Sequence, residues 1–144
     1  MKLMNHLQCL EWIDGATPAE ITQTEAILNR VLCDEIVEGW LDRGLISGHY
    51  KITTVKNQGR PLYRYVWHVN DQGFLYVNGS LFVGQPGEND DWLWMIGAEA
   101  IARVNNCKGI RFESKRRGHL EQGLRAGFKA TGVGMEKILE HVPS

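Results

Sequence analysis

The sequence predicts one α/β domain in which a mixed, mostly antiparallel sheet is flanked by helices. Three observations carry that expectation. A helix-start signal at Thr17-Pro18-Ala19-Glu20 opens a long apolar stripe, a period of two runs from Tyr50 to Gly84, and the stretch from Gly109 to Leu139 reads as strand, helix, strand. A chain of 144 residues is enough to bury about 70% of its unfolded surface around one core. Residues 1–144 are therefore taken as a single domain, with 1–16 as an N-terminal arm.

The arm holds a short apolar run, Leu7 to Ile13 with Trp12, closed by Asp14-Gly15, and is either an edge strand or a docking arm. Thr17 as N-cap, Pro18 at the first helical position and Glu20 three after the cap form a capping box. The helix they start carries Ile21, Ile27, Leu28, Val31, Leu32, Ile36, Val37 and Trp40 on a broad apolar stripe, and Arg43-Gly44 supplies a basic last turn and a stop. It is one piece or breaks around Cys33-Asp34. Its acids, Asp34, Glu35, Glu38 and Asp42, form a solvated face.

Strand-like alternation then appears in three runs, Tyr50 to Val55, Tyr63 to Val69 and Phe74 to Val83, separated by Gly59-Arg60-Pro61 and Asn70-Asp71-Gln72-Gly73. This is an antiparallel meander. Asn78-Gly79 inside the third run is either a two-residue hairpin turn or a bulge. Gln85-Pro86-Gly87 ends the meander, and a helix runs from about Asp90 to Asn105. Its apolar residues point in several directions, so it is expected to be covered on two sides. Ile110 to Glu113 alternates as a strand, a helix follows from near Gly118-His119 to Gly127, and Val133, Met135 and Ile138-Leu139 mark a last extended run.

Hydrophobic residues make up 43% and charged residues 23% with a net charge of -1, so the chain is neither disordered by composition nor a polyelectrolyte that would hold nucleic acid by bulk charge. Cys9, Cys33 and Cys107 are odd in number, with no CxxC pair. They fit buried reduced thiols in a cytoplasmic setting better than a disulfide frame or zinc site. None of the histidines has metal-ligand spacing, and His68, between Trp67 and Val69 on a strand, reads as structural. No apolar run approaches the ~20 residues of a membrane span, and Met1 to His6 lacks a signal-peptide core.

Arg125-Ala126-Gly127-Phe128-Lys129, then Gly132, then Met135-Glu136-Lys137-Ile138-Leu139 resemble the C-terminal signature of the GNAT acyltransferase superfamily: a helix ending in Leu-Gly-Phe, a glycine, and a last strand of the type Met-x-Lys-x-Leu. The resemblance implies a GNAT-like sheet whose central strand carries a bulge that admits the acyl-CoA thioester. On that ground Asn78-Gly79 is taken as the bulge.

A working member of that superfamily is also expected to carry Gln/Arg-x-x-Gly-x-Gly/Ala before the next helix, where backbone N–H groups and the helix dipole seat the CoA diphosphate. This chain has Gln85-Pro86-Gly87-Glu88-Asn89-Asp90-Asp91 instead. Glu88, Asp90 and Asp91 each oppose a diphosphate there by about 1 kcal/mol, although the same residues are ordinary helix caps. Many relatives place a Tyr four residues before the glycine of Leu-Gly-Phe to protonate the leaving thiolate, and here that position is Gly123. Tyr76 as donor and Glu99 or Glu121 as base are substitutes that spacing does not select.

Lys115-Arg116-Arg117-Gly118-His119, with Arg111 upstream, is the densest positive patch and stands at a strand-to-helix junction. Trp92, Trp94 and Met95 cannot all face one core from a single helix, which makes them candidates for a protein interface. Two functional readings follow. In the first, a GNAT-like domain without the CoA loop takes no cofactor and works through a protein partner or a second copy. That pattern is similar to small GNAT-like proteins encoded among phage virion genes, which places it in host cytoplasm or virion. In the alternative, an N-acetyltransferase binds acetyl-CoA through Val83, Gln85 and Gly87, with Arg116 and Arg117 on phosphate. A nucleic-acid contact through Lys115 to His119 is a third.

Overall fold

A computed structural model describes residues 10–31, 37–85, 91–112, 121, 123, 124, 127–130 and 135–139. In chain order the elements are β1 (Leu10–Asp14), α1 (Pro18–Val31), α2 (Trp40–Ser47), β2 (Lys51–Asn57), β3 (Arg60–Val69), β4 (Phe74–Phe82), α3 (Asp91–Val104), β5 (Gly109–Phe112), β6 (Lys129–Ala130) and β7 (Met135–Ile138). The strands follow the order β1-β2-β3-β4-β5-β7-β6, and β5 lies parallel to β4 but antiparallel to β7. The chain packs as two compact units, Met1–Trp67 with Gly79–Glu88, and His68–Asn78 with Asn89–Ser144. Strands β3 and β4 therefore each pass from one unit into the other.

In the first unit the sequence at 10–14 is an edge strand paired antiparallel with β2, and Trp12 and Ile13 on it are exposed. The capping box forms as expected: Thr17 N–H donates to Glu20 Oε1 at 2.9 Å and Glu20 N–H to Thr17 Oγ1 at 3.2 Å. Arg64 on β3 is buried beneath α1, and its guanidinium donates to Thr54 Oγ1, Thr24 Oγ1 and Glu20 Oε2 at 3.1, 3.2 and 2.8 Å. Leu28, Leu41, Ile52 and Val66 form the core beside it.

The helical stretch is two helices, and the stop expected at Gly44 is not where the second one ends. Gly44 lies inside α2 because the Tyr50 ring packs onto it, at 2.1 Å from where a Cβ would stand. Gly48 closes the helix instead, at φ +81° with its N–H on the Leu45 carbonyl. Glu25 of α1 caps the other end, accepting from the N–H groups of Gly39 and Leu41 at 3.2 and 3.0 Å. That use of α1's carboxylate links the two helices across residues 32–36, which lie outside the described residues along with the expected break at Cys33-Asp34.

The hydrogen bonds of Glu20 to Thr17, and then the charge of Arg64, hold its carboxyl below the usual carboxylate value. A group depressed in the folded state contributes stability that is present above its unfolded pKa and is lost as pH falls through the folded one. Urea midpoints measured from about pH 6 to about pH 3 should therefore fall less in Glu20→Gln than in the parent chain. Parallel curves for the two proteins would assign the acid sensitivity to other carboxylates.

In the second unit, Asn70 N–H donates to the Phe74 carbonyl at 2.9 Å and Gly73, at φ +82°, donates to Asn70, closing the β3–β4 hairpin. Arg111 on β5 donates to Glu136 of β7 at 2.6 Å and to the Gln72 side chain, with its guanidinium over the Phe74 ring. Residues 121, 123 and 124 are helical. Gly127 takes φ +90°, its N–H on Leu124 and that of Phe128 on Gly123, which is the left-handed ending read from the sequence. Cys107 is buried, and that burial raises its thiol pKa. Cys9 and Cys33 lie outside the described residues.

Candidate active site on the bulged strand

Strand β4 runs unbroken from Phe74 to Phe82, so Asn78-Gly79 is not a hairpin turn. It is a bulge, and two independent observations place it. The hairpin closes with Asn70 bonded to Phe74, and further along Val83 N–H donates to the Leu62 carbonyl at 2.7 Å. From Asn70 back to Leu62 is eight steps on β3, whereas from Phe74 to Val83 is nine on β4, so β4 holds one extra residue. The side chains agree. Tyr76 stacks on His68 and Phe82 packs on Tyr63, two even-numbered residues of β4 meeting an even and an odd residue of β3. A pleat that alternates strictly cannot do that. Asn78 reaches His68, and a Cβ on Gly79 would stand 2.8 Å from Leu28, whose core neighbour Val66 shares the parity of His68. Successive residues turn the same way, so the extra residue falls at Asn78-Gly79. Parallel pairing with β5 ends immediately before it, at Val77 opposite Phe112, while β4 continues to Phe82.

The first residue of the bulge makes a polar side-chain contact. His68 Nδ1 lies 2.7 Å from Asn78 Oδ1, and the imidazole is stacked on Tyr76 with centroids 5.2 Å apart and planes 26° from parallel. An amide oxygen only accepts, so Nδ1 is the donor in this contact. All three residues are half-buried. Sequence reading treated His68 as structural and Asn78 as a backbone device, and did not pair them, since they lie ten positions apart on neighbouring strands.

The other sequence candidates scatter. Tyr76 is part of this cluster. Glu99 on α3 is ion-paired with Lys137 of β7 at 2.9 Å, and Lys137 also meets Met95 Sδ at 2.9 Å. Glu121 is helical and exposed. The N–H of Val83 is committed to Leu62, and Gln85 is exposed just beyond the strand. Trp94 meets Phe112 and Phe128 at centroid distances of 5.8 and 5.9 Å, so this ring is accounted for within its own unit. The Trp92 side chain and all of Gly87, Arg116 and Arg117 lie outside the described residues. Gly123 sits where a Cβ would be 2.8 Å from Phe112 Cζ and 3.1 Å from Met135 Cε. An aromatic ring occupies the space that a side chain from this helix would need. Among the described residues no group of three His, Cys, Asp or Glu could hold a metal ion, and no helix is long and apolar enough to cross a membrane.

Comparison with solved structures gives this arrangement a fold. An acetyltransferase from Bacillus subtilis in complex with CoA superposes with a TM-score of 0.64, at 13% identity over 91% of this chain and 99% of its own. This is the GNAT fold. A GNAT family acetyltransferase from Brucella melitensis in complex with acetyl-CoA gives a TM-score of 0.60, at 17% identity over 93% of this chain and 91% of its own. No protein-family model matches the sequence, and no curated protein matches it. The GNAT architecture explains why the helix ending in Gly127-Phe128 is followed by β6 and β7, and why the parallel pair β4–β5 is embedded in an otherwise antiparallel sheet.

Proposed function

We propose that the protein is an acyl-CoA-dependent N-acetyltransferase. The observation that carries this reading is the Asn78-Gly79 bulge, set directly after the last parallel pair between β4 and β5. A bulged central strand is the feature by which a GNAT sheet admits the thioester. Acetyl-CoA and CoA in the superposable structures support the same reading. With Val83 N–H already bonded, the pantetheine arm would meet β4 through its other backbone groups and Gln85. Arg116 and Arg117 would take phosphate.

Ligand stabilisation tests it. At a concentration of about 100 times its dissociation constant, acetyl-CoA would stabilise the folded chain by about 2.7 kcal/mol. For a chain of this length that raises the melting temperature by roughly 5–10 °C. The absence of both a shift and any heat on titration would remove the reading.

A second reading has the fold acting through a protein partner, as in a phage virion component. It is favoured by the acid-rich sequence Glu88-Asn89-Asp90-Asp91, which is poorly suited to a diphosphate. Light scattering that finds only a monomer, together with acetyl-CoA binding, would dismiss it.

A further inference from the structure

We propose that the outer edge of β1 takes a second copy of this chain, the two β1 strands pairing antiparallel about a two-fold axis at Trp12. The inference is independent of the acyl-CoA reading, because it uses no residue of the bulged strand. β1 ends the strand order and pairs only with β2 among the described strands. A hydrogen bond just past its end fixes which of its backbone groups stay open. Gly15 N–H donates to the Ile52 carbonyl at 2.8 Å, which in an antiparallel ladder makes Asp14 and Thr53 a pair that exchanges no backbone bonds. The pattern alternates back along the strand. Glu11 and Ile13 commit their N–H and C=O groups to β2, opposite Lys56 and Thr54, whereas Leu10, Trp12 and Asp14 turn theirs outward. Such an edge invites another strand unless proline, lysine or a bulge blunts it, and β1 reads Leu-Glu-Trp-Ile-Asp in unbroken register. It also shows apolar surface on both faces: Trp12, opposite Val55, is 42% exposed, and Ile13, opposite Thr54, is 48% exposed.

The edge is complementary to itself, and that commits it to a second copy. With Trp12 opposite Trp12, Leu10 lies opposite the second copy's Asp14 and Glu11 opposite its Ile13. All three outward residues then exchange both backbone bonds, the tryptophans form a cross-strand aromatic pair, and no charge faces a like charge. Other registers lose this. A slip of one residue offers the new strand groups that β2 already holds. A slip of two toward the N-terminus sets Glu11 against Glu11, and a slip of two the other way carries Leu10 past the strand's end at Asp14. The acids of the edge are also met within the chain's own sheet. Asp14 Oδ1 accepts from the Thr53 hydroxyl at 2.8 Å, and Glu11 has Lys56 opposite it on β2. A net charge of -1 puts little long-range repulsion between two copies.

The test is sedimentation equilibrium of the full chain from about 5 to about 500 µM, the high end being needed because a five-residue strand makes a small interface. The parent should show a monomer–dimer equilibrium and no larger species, because a two-fold contact closes on itself. Each Ile13 faces the other copy's Glu11, so Ile13→Lys should tighten the dimer about 5-fold and Ile13→Glu should weaken it by about 5-fold or more. Disulfide trapping reads the register directly. In a Cys9→Ser background, Trp12→Cys should cross-link on mild oxidation, because residues of a hydrogen-bonded pair have Cα atoms about 5.5 Å apart, within disulfide reach. Glu11→Cys, which does not face its own copy, should not. If either Ile13 variant fails to fold, the two cysteine variants decide. A parent that stays monomeric at the highest concentration would overturn the proposal, whatever else binds the edge. So would a dimer that responds alike to lysine and glutamate at Ile13, since its contact then lies elsewhere, or cross-linking of Glu11→Cys in preference to Trp12→Cys.

Discussion

Gly109→Ala should destabilise the chain by about 3 kcal/mol, at the upper end of what overpacking costs. Gly109 opens β5, between Phe74 on one side and Ile138 on the other in the pairing register. A Cβ built there stands 2.5 Å from the Lys137 carbonyl oxygen and 2.6 Å from the Phe74 ring. The first obstacle is backbone, which cannot rotate aside as a side-chain tip can, and the second is a core ring that supports the Arg111 guanidinium at 3.9 Å. Relief requires β5 and β7 to part, and both are strands of the second unit. For a chain of this length the melting temperature should fall by roughly 6–12 °C. A variant that melts with the parent would mean that β7 can shift without cost, and the tight β5–β7 contact would then not be what glycine is needed for.

Replacing Arg64 with Met should cost about 2–3 kcal/mol, measured as a lower urea midpoint at neutral pH. Breaking a buried pair by removing one member costs about 3–5 kcal/mol, and the estimate is reduced here because the Glu20 side chain is 40% exposed and its charge partly screened. Loss of the guanidinium also leaves the buried hydroxyls of Thr24 and Thr54 without this donor. Arg64→Lys should rescue little, because one ammonium cannot reach three acceptors arranged to fit a planar fork. An unchanged midpoint in the Met variant would indicate that apolar packing offsets the lost network.

Local signals proved the most legible. Thr17-Pro18-Ala19-Glu20 formed the capping box that it spells, and Gly127 took the left-handed ending, because both depend on bonds between residues a few positions apart. The strands of the meander followed from periodicity for the same reason, whereas β6 and the division of the first helical stretch into α1 and α2 did not. Gly44 misled because a glycine near a basic residue looks like a stop, while its reason for being glycine is the Tyr50 ring lying against it, a contact that no local pattern encodes. Arg64 was invisible for a related reason. A charged residue in a strand ordinarily points to water, and its partners on α1 lie 40 and 44 positions away.

The sequence by itself determined the capping box, the strands of the meander, the C-terminal signature and the acid-rich stretch at Glu88 to Asp91, since each is written in neighbouring residues. Only the tertiary structure decided between turn and bulge at Asn78-Gly79. That choice depends on whether β3 and β4 take equal numbers of steps between two hydrogen bonds, a comparison of paired strands that a single stretch of chain cannot make. It also brought Asn78 to within 2.7 Å of His68, ten positions away on the neighbouring strand.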